Sequence, residues 1–478
     1  MSDFLPLGVP QQFVAALNER GITTPTPIQQ ATLPDSLAGR DVLGRGRTGS
    51  GKTYAFLLPL VARLDADRKP RVSKKPRALI LAPTRELATQ IEESLKPLAS
   101  VARLQSLTIF GGVNQNPQVR SMAKGIDVLV ACPGRLLDLM GQGAIDLSAV
   151  EITILDEADH MADMGFLPMV KKILDKVPSN GQRMLFSATL DGDINVLVKR
   201  YLHSPVVHEA DSAESPVSTM DHHVLEVGAG DKNSIIADLA AAPGKTIFFT
   251  RTKHGAKKLA KVLIAKGIPA VDLHGNLAQN ARTRNMDAFH SGRVSTLVAT
   301  DIAARGIHVD DVELVVHADP PAEHKAYLHR SGRTARAGKA GTVVTLVTND
   351  QRHEVRGLMR AAKITPTITA AARGILEKLA PGERTFLTPD EAEKTAYPNK
   401  PAPQQQGSGG GGRGRGRSAG ANGGRARREF GEQAARQTSS RGGSSSSRGA
   451  ASSRGASTAG TSRGAAGFSQ AVGRRRSR

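Results

Sequence analysis

Cysteine is nearly absent from this chain. Cys132 stands alone, so no disulfide can form within the chain and a thiolate metal cluster lacks its ligands. Long apolar runs are missing too. No uncharged apolar run approaches the ~18 residues of a membrane span, and the start, MSDFLPLGVPQQF, has no basic residues leading into an apolar core. A soluble, cytoplasmic protein without a membrane partner is therefore expected. Acidic residues and lysine are scarce at one end only: after Lys400 there are two glutamates, Glu429 and Glu432, and no lysine, against fifteen arginines.

The chain has 478 residues and a formal net charge of +21. Fifty basic and 42 acidic residues precede Pro401, so most of the excess sits in the last segment. Such an excess favours a polyanionic partner, because Lys and Arg neutralise phosphates. The length calls for more than one hydrophobic core.

Short apolar, β-branched runs recur with helical segments between them: ALIL at 78–81, IDVLVA at 126–131, ITIL at 152–155 and RMLF at 183–186. Strands buried on both faces of a parallel sheet read this way. A second series follows with TIFF at 246–249, AVDL at 270–273, STLVAT at 295–300, LVVHA at 314–318 and GTVVTLV at 341–347. The pattern predicts an α/β fold of two successive parallel-sheet domains, residues 1–207 and 221–365, joined by a polar, proline-bearing linker at 208–220. Residues 366–400 are expected to form a weakly structured extension. Residues 401–478, an Arg/Gly/Ser-rich tail, are too poor in apolar side chains to offset chain entropy and are expected to be disordered.

Gly46-Arg47-Thr48-Gly49-Ser50-Gly51-Lys52-Thr53 satisfies the phosphate-loop pattern GxxxxGK[ST], between a short strand and an apolar helix. The glycines let backbone N–H groups face phosphates, Lys52 supplies charge, and the Thr53 hydroxyl can ligate Mg²⁺. A second Gly-Lys-Thr at 244–246 has Leu239 where the first glycine belongs and precedes a strand, so it reads as a turn. A phosphate loop needs an acid at the end of a neighbouring strand. ITIL runs straight into Asp156-Glu157-Ala158-Asp159. Asp156 is thus expected at Mg²⁺, and Glu157 as the base for an attacking water.

In this order these elements resemble the DEAD-box ATP-dependent RNA helicases, of the bacterial RhlE-like type, over about residues 4–348. The resemblance implies two tandem RecA-like domains, with ATP as the nucleotide. Its adenine-reading element matches Phe4 followed by Gly21 to Gln29: Phe4 would stack on the base, Gln29 would bond its edge, and Thr24 lies beside them. Thr48, Gly49, Ser50, Gly51, Lys52, Thr53 and Gly306 would complete the ATP site. Pro83-Thr84-Arg85-Glu86-Leu87-Ala88, Gly111-Gly112 and Pro133-Gly134-Arg135 match motifs that contact the RNA sugar-phosphate backbone. Ser187-Ala188-Thr189 matches the motif that couples the nucleotide to lobe closure.

In the second half, Thr250-Arg251, His274-Gly275, Gln279-Asn280-Ala281-Arg282 and Thr300 fall where the family's second lobe grips RNA. Asp301, within Thr300-Asp301-Ile302-Ala303-Ala304-Arg305-Gly306, and His329 match coupling positions. His329-Arg330-Ser331-Gly332-Arg333-Thr334-Ala335-Arg336 resembles the arginine-finger motif, from which Arg333 and Arg336 would reach the γ-phosphate. The implied catalytic set is Lys52, Asp156, Glu157, Arg333 and Arg336, complete only when the lobes close. The chain departs from the pattern at three places. Cys132 replaces a usual Thr, Ala335 a common Gly, and His308 an Asp that contacts the ATP ribose in many members, with Asp310 two residues on.

The implied activity is RNA-stimulated ATP hydrolysis by a monomeric core, with local unwinding of short RNA duplexes or remodelling of RNA–protein complexes. Ribosomal or RNA-decay assemblies are candidate partners. Backbone contacts carry no base information, so little sequence preference is expected. Arg413, Arg415, Arg417 and Arg441, each followed by glycine or close to it, read as a salt-sensitive RNA tether. With Phe430 and Phe468 the only aromatics there, stacking by the tail is minor. An ATP-gated clamp with little turnover and a DNA-unwinding enzyme are the competing classes.

Overall fold

The computed structural model describes residues 3–46, 49–190, 192–209, 220–228, 230–304, 311–335 and 341–398. Expectations for Thr48, Arg305, Gly306, His308, Asp310, Arg336, linker residues 210–219 and the tail from 399 onward lie outside them. The described residues belong to one compact unit.

Two parallel sheets of seven strands each organise the chain. The first comprises β1 (Val42–Arg45), β2 (Ala78–Leu81), β3 (Ser106–Ile109), β4 (Val128–Ala131), β5 (Ile152–Leu155), β6 (Gln182–Ser187) and β7 (Val206–Glu209), in the order β3-β4-β2-β5-β6-β1-β7. The second comprises β8 (Met220–Glu226), β9 (Lys245–Thr250), β10 (Ala270–Leu273), β11 (Thr296–Thr300), β12 (Val312–His317), β13 (Gly341–Val347) and β14 (Thr367–Ala370), in the order β10-β11-β9-β12-β13-β8-β14. The two-domain α/β architecture expected from the runs of aliphatic residues is therefore present.

Every residue of β2, β4 and β5 is buried, because helices cover both faces of each sheet. Each large aliphatic side chain so placed contributes about 2 kcal/mol of transfer free energy. β3, β7, β8 and β14 had no counterpart in the apolar runs. Three of them are edge strands and only partly buried, so no continuous aliphatic signal is required of them. β8 buries His222 among its apolar residues. Gly244, at φ +93°, is the turn that launches β9, as the second Gly-Lys-Thr was read.

The segment 366–400, expected to be weakly structured, instead supplies β14 and the helices Arg373–Leu379 and Pro389–Ala396. Leu376, Leu379 and Ala380 enter the second-lobe core, and the Leu387 N–H donates to the Gly267 carbonyl at 2.8 Å. Its apolar residues are too scattered to show periodicity. The local signal was the capping box at Thr388 and Glu391, each side chain bonding the other's backbone N–H. Among the described residues no helix is long and apolar enough to cross a membrane.

Candidate nucleotide and nucleic-acid site

In open parallel sheets, ligands collect beyond the carboxyl ends of the strands. The first sheet divides that edge by strand. The neighbours β3, β4 and β2 lead into Gly111-Gly112, Pro133-Gly134-Arg135 and Pro83-Thr84-Arg85, while β5, β6 and β1 lead into Asp156-Glu157, Ser187-Ala188-Thr189 and the phosphate loop. The second sheet repeats the arrangement. Gly275, Thr300-Asp301 and Thr250-Arg251 lie at the ends of the neighbours β10, β11 and β9.

The phosphate loop turns through Gly49 and Gly51 at φ +90° and +92°, backbone that side chains rarely adopt. A Cβ on Gly51 would also sit 2.7 Å from Gln29 Nε2. Lys52 opens the helix Lys52–Ala66, and its Nζ donates to the Gly46 carbonyl at 2.7 Å. The Gly46 N–H in turn donates to the Ser187 carbonyl at 3.1 Å. Gln29 is buried: its Oε1 accepts from the Thr26 N–H at 3.0 Å, and its Nε2 donates to the Gly51 carbonyl at 2.8 Å. The segment expected to read adenine is thereby tied to the phosphate loop, with Thr24 exposed beside it. Phe4 differs from expectation. It is 0 % exposed and packs in the first-lobe core with Phe13 and Ile28, so its ring has no open face for an adenine.

Glu157 adopts φ +49°, strained backbone costing about 1–2 kcal/mol for a side chain with a Cβ. The Asp156 carboxylate holds it there by accepting the Glu157 N–H at 2.9 Å. Burial pushes the Asp156 carboxyl up to about 7, opposed by Lys52 and reinforced by the charges of Glu157 and Asp159. Burial would raise the Glu157 carboxyl as well, but the hydrogen bond and charge of His160, with Lys52 and Arg333, together hold it well below the usual carboxylate range. Asp159 closes the circuit: its Oδ2 accepts from the Thr189 N–H at 2.9 Å and from Thr189 Oγ1 at 3.1 Å, and its N–H reaches Ser187 Oγ at 3.3 Å.

His160 carried no signal in the sequence. It is 3 % exposed, and its Nδ1 lies 3.1 Å from Glu157 Oε2. An ionised carboxylate only accepts, so Nδ1 carries the proton in this pair. His160 therefore aims and stabilises the Glu157 carboxylate. Replacing it by Phe leaves a buried charge short of a partner, a loss of about 1–3 kcal/mol. His160→Phe should lower kcat about tenfold or more at unchanged KM for ATP. His160→Asn, which offers an amide N–H near the Nδ1 position, should restore most of it. An equal fall in both variants, or a change confined to KM, would show that the histidine only packs.

The second lobe brings positive charge to this cluster through Arg333, which is buried in the turn after the helix His324–Ser331, with Nε donating to the His329 carbonyl at 3.3 Å. Asp301, expected at a coupling position, accepts from Arg330 Nη2 at 2.8 Å, and Arg330 also reaches the Asp319 carbonyl at 2.7 Å while lying over the Phe249 ring. Arg330 is thus the strut that joins the Thr300-Asp301 turn to the arginine-finger helix, a role its place in the HRSGR run did not reveal. Ala335 takes φ +53°, which accounts for the glycine common at that position. Burial, with the Glu86 charge nearby, pushes the Cys132 thiol up to about 12, so it stays neutral.

Two residues expected at the RNA backbone join the lobes. Arg282 is 9 % exposed and its Nε donates to Glu86 Oε1 at 2.7 Å, while Arg85 Nη1 donates to Gln279 Oε1 at 2.8 Å. A Cβ on Gly112 would collide with the Arg85 guanidinium, so that glycine makes room for the link. Reversing either charge, Glu86→Arg or Arg282→Glu, should weaken ATP-dependent RNA retention, and the double swap should recover it. The coupling expected from filter binding is about 0.5–3 kcal/mol. Strict additivity would remove the pair from the closing contact.

A DEAD/DEAH box helicase model matches residues 26–196, and a helicase conserved C-terminal domain model matches residues 231–338. Over 365 residues the chain is 37% identical to the DEAD-box ATP-dependent RNA helicase CshA of Geobacillus kaustophilus, covering 76% of this chain and 77% of that one. The chain belongs to the DEAD-box RNA helicase family. It is also 41% identical over 362 residues to the chloroplastic DEAD-box ATP-dependent RNA helicase 3A of Zea mays, covering 74% of this chain but 48% of that helicase. The chain thus spans about half the length of that DEAD-box relative. Saccharomyces cerevisiae Dbp5 bound to RNA and ADP BeF3 superimposes with a TM-score of 0.70 at 27% identity, covering 80% of this chain and 100% of that one.

Proposed function

We propose that this DEAD-box protein is an RNA-stimulated ATPase that closes its lobes over RNA and locally unwinds short duplexes or remodels RNA–protein complexes. One arrangement carries the reading: Arg282 of the second lobe donates to Glu86 of the first at 2.7 Å, and Lys52 of the first lobe and Arg333 of the second both help hold the buried Glu157 carboxylate below the usual range. Lys52 and the phosphate-loop amides hold the triphosphate. Glu157, aimed by His160, takes the proton of the attacking water, and Arg333 offsets charge developing on the transferred phosphoryl.

Thr53 and Asp156 would hold Mg²⁺. Two protein donors suit an ion that keeps waters and binds mainly through substrate phosphates, and Asp156 is a buried carboxylate that gains from a cation. When bound, the ion would supply positive charge to the phosphates. Gly111, Gly134 and Gly275 support the RNA side. A Cβ at any of them would meet no heavy atom within 4 Å, so internal packing does not require glycine and a ligand backbone can approach closely.

A cytoplasmic setting, a monomeric core, an arginine-rich tether after residue 400 and membership of ribosomal or RNA-decay assemblies belong to the same proposal. Steady-state ATPase assays with single-stranded RNA or DNA, run beside strand separation of a short RNA duplex, test it. Stimulation by RNA but not DNA, with strand separation, is expected. Equal stimulation by DNA, or RNA-independent hydrolysis, would sink it.

A further inference from the structure

At the far end of the second sheet, the helix Arg352–Ala361 and the strands β8 and β14 enclose a groove of about 590 Å³. Its floor is aliphatic, made by Val224, Val347, Met359, Ile364 and Ile368. Its rim is cationic: Arg352, Arg356 and Arg360 recur one helical turn apart, with Lys363 just past the helix end. Arg352 is paired with Glu226 at 2.6 Å, whereas the exposed side chains of Arg356, Arg360 and Lys363 form no ion pair among the described residues. β14 is the last strand of its sheet, so its outer edge has no strand partner among the described residues, and Ile368 on it is 48 % exposed.

We propose that this groove is a docking site for an extended acidic segment of a partner protein, one that adds a strand to β14 while its alternate residues meet the aliphatic floor and the arginine rim. An unpaired strand edge beside an apolar trough is the geometry of strand addition: main-chain bonds give affinity and alternate side chains give specificity. Charge complementarity selects carboxylates. RNA is the weaker fit on three counts. No aromatic side chain lines the groove for a base to stack on. The loops assigned to RNA leave β9, β10 and β11, and β14 lies four strand spacings from β9, or about 19 Å at ~4.8 Å each. Glu354, which pairs with Arg251 of that RNA edge at 3.2 Å, projects from the side of the helix opposite Arg352 and Arg356. A segment rich in arginine, like residues 401–478 of this chain, would be repelled.

The test uses the full chain and two fluorescein-labelled peptides, one alternating valine and glutamate and one of glutamate alone, followed by fluorescence anisotropy. At equal length the all-glutamate peptide carries about twice the charge, so the arginine-rich end of the chain attracts it at least as strongly and cannot produce a preference for the alternating peptide. Binding of the alternating peptide is expected to be at least about tenfold tighter. Arg356→Glu combined with Arg360→Glu should remove that preference, as should Ile368→Asp acting on the strand edge alone, while RNA-stimulated ATP hydrolysis stays at the parent level. Equal affinity for the two peptides, or an unchanged preference in both variants, overturns the proposal. A fall in RNA affinity in the arginine variant with peptide binding intact would also overturn it, and would make the groove an RNA surface.

Discussion

Glu157→Gln should abolish turnover while leaving the assembly that performs it. The substitution keeps the volume of a side chain that is 6 % exposed and removes its proton-accepting charge. General-base catalysis is worth about 10²–10⁴ in rate, and single-turnover hydrolysis should fall by that factor. Nucleotide and RNA should stay bound. Lys52 and the phosphate loop are untouched, Asp156 loses a like charge that disfavours its ionised form, and the Glu86–Arg282 link across the lobes is intact. The expected signature is RNA that dissociates more slowly in ATP than from the parent protein. Hydrolysis at the parent rate would remove Glu157 from the role of base.

Arg333→Ala should lower hydrolysis by about 10³–10⁵, the range found for arginine fingers in phosphoryl transfer, and should barely change the affinity of a fluorescent ATP analogue. The asymmetry follows from position. Arg333 comes from the second lobe and its charge reaches Glu157, whereas the phosphate loop, Gln29 and Asp156 all belong to the first lobe. Lys52→Ala makes the contrast, because it removes charge where the triphosphate binds and should abolish productive binding. Arg333→Lys should recover little, since a point charge on a flexible stem does not reproduce a planar guanidinium fork. Nucleotide affinity falling in step with rate in Arg333→Ala would instead make the residue part of the binding site.

How much of this was legible depended on the range of each interaction. A turn that cradles phosphates needs particular residues at fixed spacing, so Gly46 to Thr53 and the acid pair after ITIL could be read from a few consecutive letters. β2, β4 and β5 were legible because full burial demands unbroken aliphatic runs, and β3, β7 and β14 were not, because edge positions relax that demand. Phe4 shows the limit of motif reading. Its position in the motif pointed to a base-stacking ring, but an apolar side chain packs wherever the nearest core is, and that core lies with Phe13 and Ile28.

By itself the sequence determined two parallel-sheet units, a phosphate loop with its acid, and a second-half arginine run, since each is a local pattern enforced by backbone geometry or by burial. Tertiary structure alone decided which distant side chains meet: Arg330 against Asp301, and Arg282 against Glu86 from the opposite lobe. Hydrogen bonds and ion pairs act over about 3–4 Å, and no spacing along the chain tells which residues, 29 positions apart in one pair and 196 in the other, will be brought within that reach.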